Sequence, residues 1–250
     1  EHPDVVARVA RGYADAGSDI VYAPTFLANA GNLKNYGLSE QVIPLNRKIV
    51  STVKQALAGR DVLVAGDMST TGLMCEPFGE TEFVHLIGIY AEQASALADA
   101  GAELLVIETM SALSECRAAV IAARQTGLPV FLTMTVDAEG RTMWGDDVLA
   151  SMIVLQDMGI SAFGLNCSQG PDDMVPLFER IAPYAKLPLI AKPNAGEPPL
   201  SPVKEGSKAM VRKPRSAIVC AYNPAACSFT APKGPHTAIA ASFFSAPLGS

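Results

Sequence analysis

One repeated pattern constrains what this chain can fold into: an amphipathic run, a closing glycine, then a short apolar run without alternation. In residues 3 to 16, Val5, Val6, Val9, Ala10, Tyr13 and Ala16 recur at helical spacing. Pro3 stands where a first-turn proline is tolerated, and Gly17 closes the run. The grammar returns over 83–107 around Gly101, over 112–136 around Gly127, and over 147–165 around Gly159. Glycine suits the left-handed position that ends such helices. Strands without alternation are covered on both faces, as in a parallel sheet wrapped by helices. The pattern predicts strands near 19–22, 62–66, 104–108, 129–136, 160–166 and 188–192, with a weaker one at 216–221.

Repeated βαβ units of this kind predict an α/β fold, a TIM (β/α)8 barrel, rather than a doubly wound open sheet. The open sheet usually carries a Gly-rich phosphate turn after its first strand, and the sequence has none. The barrel is expected to be incomplete, with its first strand missing ahead of residue 1 and its C-terminal units atypical. Nine of the 18 prolines fall in 193–250, and Glu197 to Arg215 lacks a helical period where a seventh helix belongs. The expected division is a barrel body over 1–196 and an atypical Pro-rich segment over 197–250.

A hydrophobic share of 49% against 18% charged residues fits a buried sheet inside helices. The net charge of -6 argues against a nucleic-acid surface, which needs clustered Lys and Arg. The apolar runs are far shorter than the roughly 20 residues that cross a bilayer, and no signal peptide opens the chain, so a cytoplasmic location is expected. Five widely spaced cysteines, Cys75, Cys116, Cys167, Cys220 and Cys227, read as reduced thiols or metal ligands rather than a disulfide framework.

Barrel chemistry sits at the C-terminal ends of the strands. The apolar runs end in Thr25 with Asn29, Asp67 with Ser69, Glu108, Thr133 with Thr135, Asn166 with Cys167, and Lys192 with Asn194. Any one of these is an ordinary loop beginning, but six in succession outline a polar mouth. Asp67 and Glu108 are carboxylates at the edge of a buried sheet, where ionisation needs a cationic partner such as a ligand amine. Cys167, in Gly164-Leu165-Asn166-Cys167-Ser168, ends its strand at that mouth. Cys75 in a loop and Cys116 in a helix lie away from strand ends, and the three histidines have no metal-ligand spacing.

The segments Pro24 to Asn29, Tyr36-Gly37-Leu38, Ala65 to Ser69 and Val106 to Met110 resemble the homocysteine S-methyltransferase family. So do Thr133-Met134-Thr135 with Gly140-Arg141-Thr142, Gly164 to Ser168, and Ala191 to Gly196. The resemblance runs in order from about residue 2 to 198 and is nearest to the homocysteine-binding barrel of the cobalamin-dependent methionine synthase type. It implies a TIM barrel that transfers a methyl group to the thiol of homocysteine, forming methionine. It further implies zinc held by three cysteine thiolates, which leaves the fourth tetrahedral position for the substrate sulfur. Cys167 is then the first metal ligand, Glu108 grips the amino group, and Asn166, Thr25 and Asp67 line the pocket. The methyl donor is expected to be methylcobalamin or another methyl carrier supplied by a separate domain or protein. A corrinoid-carrying protein or domain is the expected partner beside homocysteine itself.

The family's remaining ligands form a Gly-Gly-Cys-Cys-Gly turn, which this chain lacks. Ala225 to Thr230 keeps Cys227 with Ser228 beside it, and Cys220 after Ala217-Ile218-Val219 is a separate candidate for the metal. The family's Asp-Gly loop would lie ahead of Glu1. The alternative reading is therefore a non-catalytic truncated or decayed barrel of the same family, without a complete zinc site. A third is a metal-free barrel enzyme using Glu108 and Lys192 as acid and base.

Overall fold

A computed structural model describes residues 2–167 and 170–194. The expected strand at 216–221, the segment 197–250, and Cys220 and Cys227 lie outside the described residues. Within them the order is α1 (Pro3–Asp15), β1 (Ile20–Ala23), α2 (Ala30–Leu33), α3 (Val42–Ala56), β2 (Leu63–Met68), α4 (Phe83–Asp99), β3 (Leu104–Met110), α5 (Leu113–Arg124), β4 (Val130–Met134), α6 (Val148–Asp157), β5 (Ala162–Asn166), α7 (Pro171–Ile181) and β6 (Leu189–Lys192). The six strands pair only in parallel, in the order β1-β2-β3-β4-β5-β6. With helices as crossovers and sequential neighbours throughout, the sheet curls as a half-barrel carrying six of a TIM barrel's eight strands. No described helix is long and apolar enough to cross a membrane.

Two apolar layers hold it. The larger lies between sheet and helices, where Val21, Val64, Leu105, Ile107, Leu132, Phe163 and Leu165 meet Leu86, Tyr90, Leu97 and Val120. The inner face carries Ile20, Tyr22, Ala65, Leu104 and Val106 against Phe131, with Ala162 and Ile190 beyond it. Side chains alternate between these layers because successive strand residues point to opposite faces. Gly164 belongs to the inner face, where a Cβ would come within 2.1 Å of the Ile190 carbonyl oxygen. Only glycine lets β5 and β6 approach so closely there.

Two helices escape the sequence pattern. In α3 the buried residues are Val42, Asn46, Val50 and Val53, so a polar side chain fills one place of the apolar stripe. Asn46 is tolerated because its amide donates to the carbonyls of Ala28 and Val42, both at 2.7 Å. In α7, Pro171 and Pro176 disguise a stripe of Met174, Leu177, Phe178 and Ile181. Pro171 sits at the helix start, and Pro176 interrupts its interior.

Candidate functional site

Continuing the inner-face alternation by two residues past Ala65, Val106, Phe131, Gly164 and Ile190 gives Asp67, Glu108, Thr133, Asn166 and Lys192. All five are buried at the C-terminal ends of consecutive strands β2 to β6. Each lies one step above an apolar or glycine layer, so the barrel interior changes from hydrocarbon to polar at a single level. The strand-end residues Asp67, Glu108 and Asn166 are thereby brought to one mouth, together with Lys192.

At this level the Lys192 ammonium donates to Glu108 Oε2, an ion pair whose side chains are 5% and 1% exposed. The pair spans the interior, since β4 and β5 separate β3 from β6 in the sheet. Lys192 Nζ also lies 4.8 Å from the centroid of the Tyr22 ring, on the opposite edge strand. Glu108 Oε1 and Asp67 Oδ1 are buried with no hydrogen-bond partner among the described residues, as is the Thr133 hydroxyl. Two carboxylates thus share one ammonium. Burial, then the Glu108 charge, raises the Asp67 pKa well above the usual carboxylate value, against a lowering pull from Lys192. Burial and the same two carboxylates raise the Tyr22 phenol as well. The two carboxylates therefore offer unpaired acceptors to a cation.

Beside the carboxylates the backbone is strained. Between the pairs Ile107↔Leu132 and Met110↔Met134, Glu108 and Thr109 stand opposite Thr133 alone, a β-bulge in β3. Thr109 has φ 61°, and Cys167 has φ 56°, the two non-glycine residues with positive φ among the described residues. A β-branched residue there costs about 1–3 kcal/mol and persists only when its surroundings hold it. Asn166 does so: its amide donates to Thr109 Oγ1 at 2.7 Å, and its carbonyl oxygen accepts from the Thr109 N–H at 3.1 Å. This double clasp ties the residue after Glu108 to the residue before Cys167. Neither the bulge nor the clasp has a signal in the sequence beyond the polar pair Asn166-Cys167.

Thr25 is fully buried and serves the mouth through the main chain. Its hydroxyl donates to the Asp67 carbonyl at 2.7 Å and accepts from the Asp67 N–H at 3.1 Å, fixing the end of β2. A cavity of about 330 Å³ between the loop after β1 and α3 is lined by Thr25, Phe26, Leu33, Tyr36 and Ile49 and reaches Asp67. Asn29 instead caps α2, its carbonyl oxygen accepting from the Asn32 N–H. Ser69 Oγ donates to the Glu108 carbonyl at 2.7 Å. Behind it lies Glu115, which sequence reasoning passed over. Its carboxylate accepts from the Thr71 N–H, the Thr71 and Thr70 hydroxyls and the Tyr90 hydroxyl, all within 2.7–2.9 Å.

Cys167 is a free, exposed thiol at the end of β5, while Cys75 and Cys116 are buried elsewhere in the fold. A soft thiol at the mouth fits one ligand position of a zinc site. Among the described residues no three His, Cys, Asp or Glu side chains converge to hold a metal. The other ligands expected from the sequence, Cys227 and Cys220, lie outside those residues.

The homocysteine S-methyltransferase family model matches residues 1–225. Methionine synthase of Mycobacterium tuberculosis is 31% identical over 209 residues, and that of Mycobacterium leprae 32% over 209. Each alignment covers 79% of this chain but 17% of the relative, so the chain spans a small part of those proteins. Among solved structures, the metallated homocysteine methyltransferase MmuM from Escherichia coli superposes with a TM-score of 0.67 at 23% identity. That match covers 78% of this chain and 74% of the other. The apo form of MmuM gives 0.65 at 24% identity, over 78% and 73%. The fold is that of MmuM, and the family model spans nine-tenths of the sequence: the chain belongs to the homocysteine S-methyltransferase family.

Proposed function

We propose that the mouth binds homocysteine and presents its thiol for zinc-dependent methylation, yielding methionine. The observation that carries this reading is the Asn166–Thr109 clasp, which joins a thiol-bearing turn to a carboxylate-bearing strand end at the same level of the barrel. A short amino thiol has those two needs, a seat for its sulfur and an acceptor for its ammonium. Glu108 Oε1 and Asp67 Oδ1, buried without partners among the described residues, are the acceptors. The raised Asp67 pKa supports the same assignment, since a carboxylate held against its will in a dry site gains most from a cation. Thr25 and Ser69 hold the two strand ends, and Asn166 sets the spacing between amine seat and thiol seat. Cys167 is the first metal ligand in this reading, with Cys227 and Cys220 as its companions. Zinc, when bound, favours the thiolate form of a sulfur ligand near neutral pH, where a free thiol with a pKa of about 8.5 is mostly protonated.

In this reading the methyl group comes from methylcobalamin or another carrier on a separate domain or protein. Metal analysis of the full chain tests the reading. We expect roughly one zinc per chain, lost in Cys167→Ala, and methionine formation from homocysteine and methylcobalamin only in the zinc-loaded protein. A chain that takes up no zinc on reconstitution and makes no methionine would be the non-catalytic barrel of the same family.

A further inference from the structure

The least expected feature of the mouth is that Lys192 occupies the carboxylate to which the substrate's amino group is assigned. A buried ion pair is weak support for a fold, because the cost of dehydrating two charges rivals their attraction. An apolar layer already lies beneath it on the inner face of the sheet. The pair is also incompletely satisfied. Among the described residues Glu108 Oε1 has no partner, and the three N–H groups of Lys192 find one oxygen acceptor, Glu108 Oε2. Each partner thus keeps hydrogen-bonding capacity for a second, opposite charge. The pair crosses the interior from β3 to β6, so its parting opens space in the middle of the mouth. Lysine suits such a movement, with a flexible four-carbon stem and rotatable donors, and the Tyr22 ring gives its ammonium a second resting contact.

We propose that the Lys192–Glu108 pair recognises a zwitterion by exchanging partners: Glu108 takes the α-ammonium and Lys192 the α-carboxylate of an amino-acid head. One internal ion pair becomes two with the ligand, and no charge is left buried alone. Lys192 is then a binding residue that selects for substrates retaining both charges. This inference rests on the homocysteine reading above and adds the carboxylate contact to it.

Calorimetric titration of the full chain with homocysteine and three analogues tests it. The analogues are 3-aminopropane-1-thiol, which lacks the carboxylate, 4-mercaptobutanoate, which lacks the amine, and norvaline, which lacks the thiol. Loss of one partner of a buried charge pair should weaken homocysteine binding about tenfold or more in Lys192→Met, while 3-aminopropane-1-thiol stays within about twofold. Lys192→Arg, which keeps the cation, should recover homocysteine binding to within about threefold of the wild type. Glu108→Gln should show the mirror image, weakening homocysteine and 3-aminopropane-1-thiol but sparing 4-mercaptobutanoate. Thermal unfolding of each variant separates these patterns from loss of the fold. Equal weakening of homocysteine and 3-aminopropane-1-thiol by Lys192→Met, or no weakening of either, overturns the proposal and leaves the homocysteine reading intact. Norvaline binding as tightly as homocysteine, with the charge pattern preserved, overturns the thiol assignment instead. Absence of binding by all four compounds overturns both.

Discussion

Glu115 and Glu108 are both buried carboxylates close to the C-terminal edge of the same sheet, yet they live in opposite circumstances. Glu115 accepts four hydrogen bonds, one from a main-chain N–H and three from hydroxyls. Glu108 has one oxygen on Lys192 and one with no partner among the described residues, and its neighbour Asp67 also keeps an unpartnered oxygen. A satisfied buried acid organises the polypeptide around it; an unsatisfied one keeps an acceptor open for a further partner. The two regions touch through Ser69, whose carbonyl accepts from Tyr90 and whose hydroxyl donates to the Glu108 carbonyl. The Glu115 network is thus the foundation on which the mouth's carboxylate is set.

If that division is right, Glu115→Ala should be the most damaging single change to stability. It strands the Thr71 N–H and the Thr71 hydroxyl in the interior, where each unsatisfied donor costs about 1–3 kcal/mol, so a loss of about 3 kcal/mol or more is expected. Urea unfolding would measure it. A change below about 1 kcal/mol would mean that water or rearrangement satisfies these donors and that the contrast with Glu108 is not structural.

Asn166 stands between the regions, being buried at the mouth but committed to Thr109. Asn166→Ala removes both bonds of the clasp and leaves Thr109 without support for its left-handed backbone. A stability loss of about 1–2 kcal/mol is expected, smaller than for Glu115, together with weaker homocysteine binding. Asn166→Asp is the sharper test, since it keeps an acceptor for the Thr109 N–H but adds a negative charge beside Glu108. If Asn166→Ala lowered stability without affecting binding, the clasp would be only a strut.

The elements that carry the mouth were largely legible in the sequence. All six expected strands are present within the described residues. β1 begins at Ile20 and β6 ends at Lys192, close to the predicted limits. An apolar run covered on both faces leaves little freedom for its ends. Asp67, Glu108, Asn166 and Lys192 were visible because each ends such a run, and the two-residue alternation then places them on one face. What the sequence hid depends on contacts between distant residues. Glu115 looks like an ordinary first-turn acid of α5 until Thr70, Thr71 and Tyr90 come around it. The Lys192–Glu108 pair joins residues 84 positions apart. Nothing local in Thr109 announces a bulge. The helices α3 and α7 were hidden for a different reason, since a buried asparagine and two prolines broke periods that tertiary packing restores.

Asp67 gives the effect with the opposite sign. Its carboxyl is held above its ordinary pKa by burial and by Glu108, so the folded chain binds that proton more tightly than the unfolded chain does. Stability must then fall as pH rises from the ordinary aspartate value through the raised one, and the full penalty is present above it. Asp67→Asn removes the titration while keeping the shape. It should leave stability unchanged in acid, where the wild-type carboxyl is protonated in both states. At higher pH it should raise the melting temperature above that of the wild type. A stabilising change at a mouth residue, coupled to weaker homocysteine binding, would mark Asp67 as a group retained for its ligand at the expense of the fold. Melting curves across the pH range decide the matter: a variant less stable than the wild type at every pH would place Asp67 with Glu115, among the carboxylates that hold the chain together.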